Sequence, residues 1–475
     1  MSSNAAVQPG ANPLGYEKIG KLLLAFAPPS IIAMLVGAIY NVVDQIFIGN
    51  IIGELGNAAT NVAYPLTTTC VALGLLFGVG AASAFNIKQG QGDKEQAPYY
   101  MGNSLVMFMI AGTILLIITE IFLGPMLMLM GSSENILPYA KDYVRVVAIG
   151  FPFSIVMVGG GHLLRADGRP GLTMVCSLTG AILNVGLDAL FMYGFGWGIK
   201  GAAWATIIGQ IISAFMVFFF MSRCKTTEIR LKHLLPVPRI FLKSMALGAG
   251  PGANQFAMII TQVALNNSLR SYGAASIYGE DIPLAAAGVV LKVCGIFASL
   301  IIGLAQSQQP ILSFNYGAGN YRRVKEAYYR VLIVAFVISI ISFFVYQVFP
   351  DRILALFGSG SDLYLEFGCM FFRRYLFMSC LFFIQLISSN GFTAIGKPIM
   401  GVFLSLTRQV IFFLPLLFTL PLFLGIGGIT NAQPMADIIS ISITVILVIR
   451  EGRKPEFRNE KGVFKSIFVK EKADA

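Results

Sequence analysis

Phe314-Asn315-Tyr316-Gly317-Ala318-Gly319 repeats the pattern of Phe85-Asn86-Ile87-Lys88-Gln89-Gly90, a Phe-Asn-x-x-x-Gly signature that returns 229 residues later. Three more matches keep the same register. Gly131-Ser132 returns as Gly358-Ser359, Ala166–Pro170 (Ala-x-Gly-basic-Pro) as Ala394–Pro398, and Gly198–Gly201 (Gly-Ile-x-Gly) as Gly425–Gly428, at offsets of 227, 228 and 227. Four collinear matches at nearly one offset mark an internal duplication.

The repeats punctuate long apolar runs. About twenty apolar residues cross a bilayer as a helix. Such runs lie near 22–48, 58–87, 100–128, 137–163, 171–194 and 199–222, and again near 243–270, 283–314, 328–349, 363–394, 398–422 and 426–449. The chain is 56% hydrophobic and 12% charged, half the charge of a typical soluble domain. These runs predict an all-α polytopic membrane protein with twelve transmembrane helices. Six is even, so each half begins and ends on one side, and the halves are parallel repeats related by a pseudo-twofold axis along the membrane normal. Two such six-helix bundles leave a central cleft, and rocking them about it gives alternating access.

The expected organisation is an N-terminal cytoplasmic segment 1–20, a first bundle 21–222, a linker 223–242, a second bundle 243–450 and a cytoplasmic tail 451–475. Twenty-five of the 34 Lys and Arg fall on the side of the termini, the bias of a cytoplasmic face. The first twenty residues lack the apolar centre of a signal peptide. The expected location is the cell membrane, with both termini in the cytoplasm. The net charge of +11 follows topology rather than a basic surface for phosphates, so no nucleic-acid partner is expected. The six cysteines and two histidines show no metal or redox spacing. No phosphate loop, metalloprotease helix or serine elbow occurs, so neither an enzyme nor an ATP-driven pump is expected, and no cofactor beyond a coupling ion. Pro310, Pro415 and Pro434 are the expected kink points.

Ionisable residues inside a bilayer are costly and mark function or pairing. Asp44, Asp188 and Asp437 are the deep acids; Glu120 and Glu366 lie nearer the rims. Tyr40 and Asp44 are four apart on one helix face, as are Asn184 and Asp188. With Thr206 they form an oxygen-rich pocket if spans one, five and six adjoin. Such a pocket suits a proton or a hard cation such as Na⁺; the alternative is a polar network that glues helices. Lys292 and Arg408 are expected to pair with carboxylates. Gln306, Gln308 and Gln309 either line a polar path or hydrogen-bond between helices.

Three passages carry a family resemblance: Ala27-Pro28-Pro29 leading to Asn41-Val42-Val43-Asp44; Arg165-Ala166-Asp167-Gly168-Arg169-Pro170 followed by Asn184 and Asp188; and Gly303–Pro310 continuing to Asn315-Tyr316-Gly317-Ala318. From about Lys21 to Arg450 the chain resembles the multidrug and toxic compound extrusion (MATE) family, in its bacterial drug-efflux branch. The resemblance implies a 6+6 bundle with a V-shaped cleft that exchanges organic cationic or amphipathic compounds for H⁺ or Na⁺, functional as a monomer. It places the ion site at Asp44, Asn184, Asp188 and Thr206, with Tyr40 alongside. Some members use acids in spans seven and ten, where this chain offers Gln255, Gln262 and Gln385. With Gln306 and Gln309, Gln255 and Gln385 are the candidate substrate path. The rival readings are a flippase for lipid-linked precursors or polysaccharides, which needs cations in the cavity, and a membrane-embedded transferase, which needs a polar catalytic motif.

Overall fold

The computed structural model describes residues 12–132, 134–356 and 361–458. Among them every regular element is helical. The first half holds α1 (Ile19–Ile52), α2 (Glu54–Gly90), α3 (Ala97–Ile121), α4 (Leu137–Ile149 and Phe151–Ala166), α5 (Pro170–Asp188, continued by a π-helical turn Ala189–Gly194) and α6 (Gly198–Ser222). The second holds α7 (Pro238–Ala274), α8 (Asp281–Gly317), α9 (Tyr321–Val348), α10 (Asp362–Tyr375 and Phe382–Ala394), α11 (Pro398–Leu424) and α12 (Ile426–Gly452). Nine of the described helices are long and apolar enough to cross a membrane singly, and the two pieces of α4 make ten. The other two rods, α7 and α10, complete the expected twelve. A row of amides makes α7 more polar, and a 3-10 turn, Phe377–Cys380, interrupts α10. The repeat match at Gly358-Ser359 lies outside the described residues.

The three prolines expected as kink points all lie within helices. Pro310 and Pro434 sit inside α8 and α12, and Pro415 follows a π-helical stretch, Thr407–Phe413, within α11. The sequence reading took α4 as one run, 137–163. The structure bends it by 55° at Gly150, just before Pro152, because proline cannot donate to the preceding turn.

Each half has its own apolar core. One gathers Leu66, Phe77, Phe85, Phe108, Phe151 and Val217; the other Leu269, Val290, Phe367, Phe371, Phe413 and Ile429. α1 belongs to both lobes. Its first turns, Ile19, Leu22 and Phe26, pack with Ile311, Val324 and Phe392 of the second lobe, and its later turns lie on α5 and α6. The chain before α1 is tied to the second lobe: Asn315 Nδ2 donates to the Leu14 carbonyl at 2.9 Å, and Arg323 Nη2 to the Glu17 carbonyl at 2.6 Å.

The lobes meet at the end of the bundle that carries the termini. There α2 lies against α7 so closely that a Cβ on Gly80 would stand 1.8 Å from the Ser244 carbonyl oxygen, and one on Gly248 1.8 Å from that of Leu76. Glycine permits that backbone approach. The ends of α2 and α8 meet in the same way through Gly90 and Gly317, the repeat glycine and its neighbour two residues before Gly319. The linker is pinned beneath this seam. Asn103 donates to the carbonyls of His233 and Leu235 at 2.9 and 3.0 Å and accepts from Val237 N at 2.7 Å, while Asp167 accepts from Lys225 N, Thr226 N and Thr226 Oγ1.

Candidate ion and substrate sites

Spans α1, α5 and α6 adjoin, the condition on which the pocket of carboxylates rested. Gly209 of α6 lies against the Gly180 carbonyl of α5. That contact lets Asn184 Nδ2 reach Thr206 Oγ1 at 3.3 Å. One turn on, Asp188 ends the regular part of α5, just before its π-helical turn. The Asp188 side chain is fully buried. Its carboxyl lies beside that of Asp44 on α1. Both oxygens of Asp188, one of Asp44 and the amide oxygen of Asn184 are buried with no donor facing them among the described residues.

Two carboxylates only accept, so a bond between them requires a proton on one. Tyr40 stands beside Asp44. Tyr143, on the first piece of α4, is buried within electrostatic range of Asp44, Asp188 and Tyr40. Sequence reasoning missed Tyr143, since nothing along the chain places α4 against this pocket. Carboxylate, amide and hydroxyl oxygens form a donor set for a hard cation, or a place to hold a proton.

The second lobe treats its deep acid differently. Arg408 Nε donates to Asp437 Oδ1 at 2.7 Å, Gln433 Nε2 to the same oxygen at 2.9 Å, and Tyr375 Oη to Gln433 Oε1 at 3.3 Å. The guanidinium also lies over the Phe382 ring at 4.4 Å. This is the structural pairing expected for Arg408. Lys292, for which a carboxylate was also expected, is exposed and makes no ion pair among the described residues.

The four candidate path glutamines separate. Gln309 is buried in the seam, donating to the Val79 carbonyl and to Ser83 Oγ, both at 3.0 Å, and facing His162 Nδ1 at 3.3 Å through its oxygen. The oxygen only accepts, so that contact puts the imidazole proton on Nδ1. Gln306 points its amide at Met34 Sδ across the seam at 3.6 Å. Gln385 is buried inside the second lobe and donates to the Leu404 carbonyl. In this conformation these three hold helices together. Gln255 is half-buried on α7, seven residues beyond Gly248. That spacing continues the stripe that packs on α2, and Gln262 and Asn266 extend it, joined by a 2.9 Å hydrogen bond. Gln262 and Asn266 are exposed on this stripe.

A duplicated bundle of twelve helical rods in two lobes joined at a glycine-lined seam, with two acids buried together in one lobe, defines a two-lobe membrane transport protein. The MatE family model matches residues 29–190 and 259–419, one match in each lobe. The chain therefore belongs to the MatE family, a family of transporters and not of enzymes. It is 23% identical to the multidrug export protein MepA of Staphylococcus haemolyticus, over 91% of this chain and 94% of that one, and 22% identical to MepA of Staphylococcus saprophyticus with the same coverage. Among solved structures, a multidrug resistance MATE family transporter of the MOP superfamily in an outward-facing conformation superposes with a TM-score of 0.85 at 21% identity, covering 97% of this chain and 99% of that one. A MOP superfamily transporter from Pyrococcus furiosus, described as having a binding pocket of reverse polarity, superposes with a TM-score of 0.84 at 22% identity, covering 92% and 96%.

Proposed function

We propose that this protein exports amphipathic organic compounds, cations among them, across the cell membrane in exchange for H⁺ or Na⁺. The observation that carries the reading is the Asp44–Asp188 pair, face to face and without donors inside the first lobe. A buried acid left unsatisfied is unstable unless something neutralises it, and a coupling ion does so. The relatives named as multidrug export proteins support the substrate class.

α1 links the ion to the cleft. One face of it carries Tyr40 and Asp44 toward α5, and the opposite face, with Ile31, meets α8 at Gly303. With the termini in the cytoplasm, the seam described above is the inner gate, and this state opens outward. Charging or neutralising the acids then biases the position of α1, which both lobes hold. Exchange requires that each ligand favour a different state. The pairing of Arg408 with Asp437 speaks against a flippase, since it removes one of two cations such a cavity would need.

Asp188→Asn is expected to abolish drug resistance in an efflux-deficient host while the protein stays in the membrane. Vesicles loaded with ethidium and given separate H⁺ and Na⁺ gradients would identify the ion. Full resistance in the variant defeats the assignment of the site.

A further inference from the structure

The four stripes that meet in the seam continue outward as the walls of the cleft. On α8, Gly303 lies against Ile31 of α1, and Gln306 against Met34. Lys292 precedes Gly303 by eleven residues, three turns of helix, so it falls on the same face. The opposite face of α8 is accounted for: Ala286, Val290 and Val293 are buried in the core of the second lobe. Where the stripe on α8 passes Gly295 and Gly288, either side of Lys292, an added Cβ would meet nothing within 4 Å. Nothing packs on this face of α8 there, and Lys292 is exposed on it.

The charge of Lys292 is unmatched. It makes no ion pair or hydrogen bond among the described residues. Asp281, on the same face, is eleven residues further out, roughly 16 Å along the axis. Arg270, at the rim of the α7 stripe, is engaged by Glu280 at 2.9 Å. Asp44 and Asp188 lie behind α1, on its far side. Ser299, seven residues on along the same face of α8, is neutral. An unpaired ammonium this deep costs several kcal/mol facing lipid, so it is explained by a water-filled cleft and a visiting counter-charge.

We propose that Lys292 is a specificity-determining residue of the cleft, binding an anionic oxygen group, carboxylate or phosphate, on an amphipathic substrate whose apolar part rests on the α1 and α8 walls. This rests on the export reading and narrows its substrate class: zwitterions and acids are favoured over compounds whose only charge is positive.

A rhodamine ethyl ester and its free acid are a matched pair of probes, differing in one carboxylate. Binding of each to purified wild-type protein, Lys292→Met and Lys292→Arg is read by fluorescence polarisation. A charge-assisted hydrogen bond supports a loss of roughly tenfold or more. The expected result is that Lys292→Met weakens the acid by that factor and leaves the ester unchanged or tighter, while Lys292→Arg keeps the acid. Equal affinities for the acid in wild type and Lys292→Met, or equal losses for acid and ester, overturn the proposal. Gradient-driven transport of both dyes in wild-type vesicles is the separate control. If neither dye moves, the export reading fails, and the binding comparison still decides the role of Lys292.

Discussion

Substituting Gly248 by alanine sets a defined wedge in the seam. The new methyl carbon would start 1.8 Å from the Leu76 carbonyl oxygen, and ordinary contact begins at 3.4 Å, so α2 and α7 must part by about 1.6 Å. The obstacle is backbone, which cannot rotate away, unlike the tip of a side chain. Overpacking of this kind costs about 1–3 kcal/mol, and each 1.4 kcal/mol is a factor of ten in an equilibrium. The closed-seam state should therefore lose about 5- to 150-fold in population to states in which α2 and α7 are apart. Spin labels on the two helices near the termini, read by double electron–electron resonance, would report the separation. The expected result is a longer and broader distance distribution, with slower efflux, in Gly248→Ala. An unchanged distribution with wild-type efflux would refute the idea that this glycine contact gates the protein. A variant at Gly171, where an added Cβ meets nothing within 4 Å, is the control for helix propensity alone.

Two further outcomes follow from polar groups outside the proposed ion site. Asp437→Ala strands the Arg408 guanidinium inside the second lobe, and breaking a buried pair this way typically costs about 3–5 kcal/mol. The apparent Tm in detergent should fall, and Arg408→Met in the same chain should recover most of the loss; an unchanged Tm for Asp437→Ala would contradict the structural role. In the linker, burial and the charges of Lys232 and Arg230 hold the His233 imidazole below its ordinary range. An undocked linker then binds more protons than a docked one as pH falls through roughly 6.5. Docking is thus at full strength above that pH and weakens below it, and limited proteolysis at linker residues should speed up at pH 5.5 relative to 7.5. His233→Gln should flatten that dependence, and an equal dependence in the variant would rule His233 out as its source.

Much of the molecule was legible along the chain because its causes are local or periodic. Lipid requires each span to satisfy its own backbone, so length and apolarity locate the rods. The duplication is a pattern of letters, and it fixed two lobes and their parallel sense. The acids Asp44 and Asp188 stood out because carboxylates are rare in apolar runs, and Tyr40 and Asn184 because they lie one turn away. The tertiary structure decided everything that depends on which faces meet. It brought Tyr143 within range of the acids, gave Arg408 its partner and, among the described residues, withheld one from Lys292. It put Gln306 and Gln309 in the seam but left Gln255 half-buried on α7, and it held α1 between both lobes. Periodicity tells which residues share a face of one helix; it does not tell what that face meets, because that is set by helices hundreds of residues apart packing glycine against backbone.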